Sequence, residues 1–244
     1  MIPMKKLSIM VGSSLVVALG LSIPTPANAA SLTIADSVSE FSGTQGQNNW
    51  YYGYYDRSLT STDFKQMTQF NGTWFVQQGT YLSLLASTGG HPNGKAPTGY
   101  RLPVIQWVVR RWVSEVDGDI QILGNLAKSD TYFNGRQDSI TGSIFINGVP
   151  IWSQYIAPND GYGVNYNLNT AITKGSFVDF AINPNGNDLN DTTRFTATIT
   201  TDVSESEPVP EPTTILGTLA FSTFAARWRM KRKQQQKSLD SSVV

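Results

Sequence analysis

Short runs of β-branched and aromatic residues, cut apart by clusters of glycine, asparagine and aspartate, fill the middle of this 244-residue chain and set its architecture. The runs are Thr73 to Val76, Val104 to Val113, Asp119 to Leu123, Ser139 to Ile146, Pro150 to Ile156, Val164 to Leu168, Phe177 to Ile182 and Arg194 to Ile199. No long stretch of helical period interrupts them. The sharpest element is Ile144-Phe145-Ile146-Asn147-Gly148-Val149-Pro150-Ile151-Trp152, where Asn147-Gly148 suits the two positive-φ positions of a type I′ turn and predicts a hairpin. Phe195, Ala197 and Ile199 alternate with Thr196, Thr198 and Thr200, the pattern of a strand with one face on a core. Short strands joined by polar turns predict an all-β, two-sheet sandwich.

The ends of the chain carry a different signal. Lys5 and Lys6 precede the apolar run Leu7 to Leu21, and Ala27-Asn28-Ala29 is a small-residue cleavage site, so residues 1–29 have the form of a secretory signal peptide cut by signal peptidase after Ala29. At the other end, Val209-Pro210-Glu211-Pro212 leads into the apolar run Thr213 to Ala226 and then Arg227-Trp228-Arg229-Met230-Lys231-Arg232-Lys233. That order resembles the PEP-CTERM sorting signal of Gram-negative bacteria. The resemblance implies an exosortase-like protease cutting near Pro210, Glu211 and Pro212, transient anchoring in the inner membrane, and delivery to the cell envelope or extracellular matrix. As a helix the apolar run would reach only about 21 Å against roughly 30 Å of hydrocarbon, so the flanking Trp228 and basic residues must extend it. The expected organisation is a signal peptide (1–29), a β-sandwich domain (30–203), a linker (204–209), a sorting signal with membrane span (210–233) and a polar cytoplasmic tail (234–244).

Composition acquires meaning once these ends are set aside. Eight of the 18 basic residues but only two of the 18 acidic ones lie in them, leaving 10 against 16 and a net charge of −6 on the exported region. Such a domain repels nucleic acid and anionic lipid. Cysteine is absent, which excludes a disulfide framework, cysteine-based zinc sites and thiol nucleophiles.

A second resemblance covers most of the exported region. The run Trp112-Val113-Ser114-Glu115-Val116-Asp117-Gly118-Asp119-Ile120, the hairpin around Ile146-Asn147-Gly148, the segment Lys174-Gly175-Ser176-Phe177-Val178-Asp179-Phe180 and the strand Phe195 to Ile199 look like successive strands of galactose-binding-like jelly rolls. Gly46-Gln47-Asn48-Asn49-Trp50-Tyr51-Tyr52-Gly53-Tyr54-Tyr55 is similar to the opening of uncharacterised exported domains with the same pattern. The resemblance implies a jelly-roll-like sandwich, a fold that hosts carbohydrate-binding modules, adhesins and inert spacers alike.

Within that opening, Trp50, Tyr51, Tyr52, Tyr54 and Tyr55 are the candidate carbohydrate-binding residues, since flat aromatic faces suit the C–H face of a sugar ring. In a strand Trp50, Tyr52 and Tyr54 would share one face and Tyr51 and Tyr55 the other, so one set is expected in the core. Trp74, Trp107, Trp112 and Trp152 are expected to pack between the sheets. Adjacent Arg110 and Arg111 must point to opposite faces.

Catalytic groupings are sparse. His91, the sole histidine, falls in Gly89-Gly90-His91-Pro92-Asn93-Gly94, expected to be a flexible loop, and Glu115 with Asp117 is expected to be solvated at a turn. Asn185-Gly186-Asn187-Asp188-Leu189-Asn190-Asp191-Thr192 carries the hard oxygen donors that calcium prefers, with Asp188, Asn190, Asp191 and a contribution from Glu40 as a candidate set; the alternative is a polar turn. The expectation is an exported, non-catalytic surface or matrix protein binding extracellular polysaccharide, with no required cofactor and a structural calcium as a candidate only. A structural matrix protein without a ligand and a glycan hydrolase are the alternatives.

Overall fold

Asn147 and Gly148 both adopt positive φ, 49° and 80°, and Ile146 pairs with Val149 across them, so the two-residue turn forms as its sequence dictates. The computed structural model describes residues 30–56, 64–76, 83–95, 104–131 and 138–203; Ala27, Ala29, Pro210, Glu211, Pro212 and the expected membrane span lie outside them. Among the described residues no helix is long and apolar enough to cross a membrane.

The strands are β1 (Ala30–Asp36), β2 (Trp50–Asp56), β3 (Phe64–Gln66), β4 (Gln69–Phe70), β5 (Trp74–Phe75), β6 (Leu84–Ala86), β7 (Gly89–His91), β8 (Gln106–Val113), β9 (Gly118–Lys128), β10 (Ile140–Ile146), β11 (Val149–Ile156), β12 (Val164–Ile172), β13 (Phe177–Asn183) and β14 (Thr193–Val203). They form two antiparallel sheets. The larger runs β12-β9-β14-β7-β6-β5-β4, with β1 also paired to β14, and the smaller runs β11-β10-β13-β8-β2-β3. From β8 onward the chain changes sheet at every connection except the β10–β11 hairpin, which gives the jelly-roll-like β-sandwich expected from the sequence.

All eight runs read from the sequence contain a strand. β7 is the instructive departure: the segment around His91 is a buried strand rather than a flexible loop. Its glycines are there for close approach, since a Cβ on Gly89 would lie 1.9 Å from the Thr193 carbonyl oxygen of β14. His91 Nδ1 sits 2.7 Å from the Pro92 carbonyl, so that nitrogen carries the proton and donates.

Between the sheets lie Trp50, Tyr52, Val108, Trp112, Ile122, Leu126, Ile144, Phe180, Phe195 and Ile199. Phe180 and Phe195, one ring from each sheet, meet edge-to-face at 5.7 Å, a contact worth about 0.5–1.5 kcal/mol beyond the area buried. Trp74, Trp112 and Trp152 belong to this layer as expected. Trp107 does not; it packs on the outside of the smaller sheet in a second cluster with Tyr55, Val109, Phe145, Ala181 and Phe64.

Candidate functional site

β2 alternates as its sequence implies, yet both of its faces are covered. Trp50 and Tyr52 point between the sheets at 0% exposure. Trp50 Nε1 donates to Glu40 Oε2 at 2.8 Å, and Tyr52 stacks on Trp74 with centroids 5.6 Å apart. Tyr55 points the other way and is also at 0%, under Phe64, Trp107 and Phe145. These three rings therefore present no face to a sugar, correcting the sequence expectation; only Tyr51 and Tyr54 remain half-exposed. The physical reason is that the smaller sheet carries an apolar layer on its outer side as well.

That outer layer is organised around charge. Tyr55 donates its hydroxyl to Asp179 Oδ2 at 2.6 Å, and Arg111 grips the same carboxylate through Nε at 2.7 Å and Nη2 at 2.8 Å. The guanidinium lies between the Phe64 and Phe177 rings, 4.0 and 3.9 Å from their centroids. Burial, then the neighbouring Asp179 charge, pushes the Tyr55 phenol well above its ordinary value. Arg110 points into the sandwich instead, donating to the carbonyls of Ser37, Ala86 and Ser87, and burial pushes it down to about 10.

The candidate calcium ligands are not brought together. Glu40 holds the Trp50 indole and the Asp36 amide, while Asp188 Oδ2 accepts from the Gly94 amide at 3.0 Å. Asp191 is engaged by a lysine: Lys128 Nζ lies 2.5 Å from its Oδ1. A divalent ion would have to share that corner with an ammonium, so the donor set does not fit calcium. Among the described residues no group of three or more His, Asp or Glu side chains is arranged to hold a metal.

The open surface is elsewhere, on the outer face of the larger sheet. β12 presents Asn165, Asn167 and Asn169 to solvent while Tyr166 and Ile172 face inward, and β14 presents Thr196, Thr198 and Thr200 opposite Phe195, Ala197 and Ile199. Strand register aligns them into rows. Asn169, Gln121, Thr200 and Thr33 lie side by side across β12, β9, β14 and β1, and Asn165, Asn125 and Thr196 form a parallel row. At one end of this face a depression of about 510 Å³ is lined by Asp119, Gln121, Asn169, Thr200 and Asp202. At the other end Asn125 bonds Asn165 Oδ1 at 2.8 Å and the Tyr162 carbonyl at 3.4 Å, and Arg194 Nε donates to Asn125 Oδ1 at 2.8 Å. There the Tyr162 ring stands in solvent at 93% exposure. From Asn165 to Asn169 is about 13 Å along β12.

This grid offers amide and hydroxyl groups that both donate and accept, held at the fixed spacings of a sheet. Of these residues the sequence reading marked only Thr196, Thr198 and Thr200, as the polar half of a strand; the signal that marks the rest is Asn-x-Asn-x-Asn on β12 alongside Thr-x-Thr-x-Thr on β14, the two strands that flank β9. Asp119 and Asp202 are exposed at the rim of this depression.

Fold and surface together define an all-β sandwich with one sheet face open and polar. No family model matches the chain, and no curated protein matches it. Among solved structures it is similar to the CBM51 module from Clostridium perfringens GH95 in complex with methyl-galactose, at 10% identity over 55% of this chain and 90% of that one, with a TM-score of 0.30. A native family 35 carbohydrate binding module from Clostridium thermocellum gives 8%, 70%, 98% and 0.30, and pika GITRL gives 9%, 64%, 98% and 0.27. At such TM-scores these likenesses carry no argument about ligand or activity, and the sandwich assignment rests on the strand pairing above.

Proposed function

We propose that this chain is an exported, non-catalytic protein that binds extracellular polysaccharide on the outer face of its larger sheet. The observation that carries the reading is the polar grid ending in the depression at Asp119, Gln121, Asn169, Thr200 and Asp202, with Tyr162 standing free at the opposite end. A chain of sugars matches both parts: its hydroxyls exchange hydrogen bonds with amides and threonine hydroxyls, and one ring face can rest on an aromatic. The ligand would lie along β12, whose three asparagines span the length of a few sugar units. The signal-peptide form of residues 1–29 and the resemblance of the tail to an exosortase substrate support delivery outside the inner membrane, where such polymers are.

The test is a glycan array with the purified protein, followed by affinity electrophoresis in gels containing whichever polysaccharide is retained. Retention that is lost in a Gln121→Ala, Asn169→Ala double variant of unchanged melting temperature supports the reading, and retention by no glycan counts against it. A second reading, a structural matrix protein without a glycan ligand, is favoured by β11, an edge strand exposing Val149, Ile151 and Tyr155. Self-association that is lost on changing Ile151 to Lys, in a protein retained by no glycan, would establish it.

A further inference from the structure

Lys128 closes β9 and Asp191 lies two residues before β14, and the pairing of Lys128 with Thr193 at that end of the sheet sets their side chains against each other. Both side chains are at 0% exposure and Nζ approaches Oδ1 to 2.5 Å, closer than an ordinary charged hydrogen bond of about 2.7–2.9 Å. A buried ion pair is sustained when every remaining proton and lone pair finds a partner. Here Asp191 Oδ2 has none, and Nζ adds only the Asp138 carbonyl at 3.1 Å. Burial pushes the Asp191 carboxyl up to about 7 against the pull of Lys128, with the charges of Asp138 and Asp188 acting in the same direction as burial. The carboxyl is thus biased toward the neutral acid, the form that an amine can acylate on.

We propose that Lys128 and Asp191 are joined by an intramolecular amide cross-link between Nζ and Cγ. The step balances without an external reagent: one ammonium proton passes from Nζ to the Asp191 carboxylate across their contact, the free amine then forms the Nζ–Cγ bond, one Cγ–O bond breaks, and that oxygen leaves as water with the transferred proton and a second one from the nitrogen. The unpartnered Oδ2 is the oxygen free to depart. The link would tie β9 to β14, neighbours at the centre of the larger sheet, and would close a loop of 63 residues in a chain that has no cysteine for a disulfide.

The experiment is mass spectrometry of the full chain purified from an exporting host, with its termini mapped. The expected intact mass is about 18 Da below that given by those termini, and digestion should yield one branched peptide containing both Lys128 and Asp191 with no tryptic cleavage after Lys128. Lys128→Arg should restore the full mass and abolish the branched peptide. Asp191→Asn keeps an electrophilic carbonyl and should lose ammonia instead, about 17 Da. Wild-type protein of unshifted mass, tryptic cleavage after Lys128, or a mass loss without the branched peptide would each overturn the proposal.

Discussion

The two outer faces of this sandwich are built from the same alternating strands and end in opposite states. On the smaller sheet the outward positions are Tyr55, Val109, Phe145, Ala181, Arg111 and Asp179, which bury one another into a second dry layer with Phe64 and Trp107. On the larger sheet the outward positions are mostly asparagine, glutamine and threonine, with Leu123 half-buried between Asn167 and Thr198, and among the described residues no second apolar layer covers them. Aromatic density in the sequence therefore marks the closed face, and the plainer polar residues mark the open one. The difference is one of energetics: rings brought together on a sheet stabilise by leaving water, at roughly 25 cal/mol per Å² of apolar area, whereas amides and hydroxyls remain solvated until a ligand replaces the water.

The comparison breaks first at Asp179. Asp179→Ala leaves the Arg111 guanidinium and the Tyr55 hydroxyl without their shared partner, and should cost about 3–5 kcal/mol in urea denaturation. A cost below about 1 kcal/mol would mean that the covered face is not held by this pair.

The central end of the larger sheet gives a pH test. An unlinked Asp191 with a folded value of about 7 against an ordinary 3.8 contributes stability that is fully present below about pH 4 and is lost as the pH rises to 7. The cross-linked protein has no such carboxyl, so denaturation between pH 4 and 7 should lack that slope. The slope should be absent from wild type on this account, and its presence in wild type would show a free carboxyl.

On the open face, Gln121→Ala combined with Asn169→Ala should weaken polysaccharide retention by about tenfold, two lost hydrogen bonds, while stability changes by less than about 0.5 kcal/mol. Tyr162→Ala should weaken it only a few-fold, about 1 kcal/mol, and leave the melting temperature unchanged. Equal losses from Tyr51→Ala with Tyr54→Ala would move the site back to β2.

The strands were legible because a period of two survives in single stretches of sequence, as in Phe195 to Thr200, and the hairpin because Asn147-Gly148 is a local instruction. β7 was not legible, since Gly89 serves a close approach to β14 a hundred residues away and Gly90 one to β6 and β8. Of the β2 aromatics, burial removes Trp50, Tyr52 and Tyr55, while Tyr51 and Tyr54 keep partial exposure. Alternation told that Trp50 and Tyr55 face opposite ways, but not that each side has its own cover, because Phe64, Phe145 and Trp107 come from three other strands. The calcium expectation failed for a similar reason: the cation opposite Asp191 is supplied by Lys128, 63 residues earlier.

Hydrogen exchange of the full protein with and without a retained polysaccharide addresses the open face directly. The account predicts new protection in β9, β12 and β14 around Asp119–Gln121, Asn165–Asn169 and Thr196–Asp202, with β2 unchanged. Protection confined to β2, or none anywhere in the larger sheet on saturation, would contradict it.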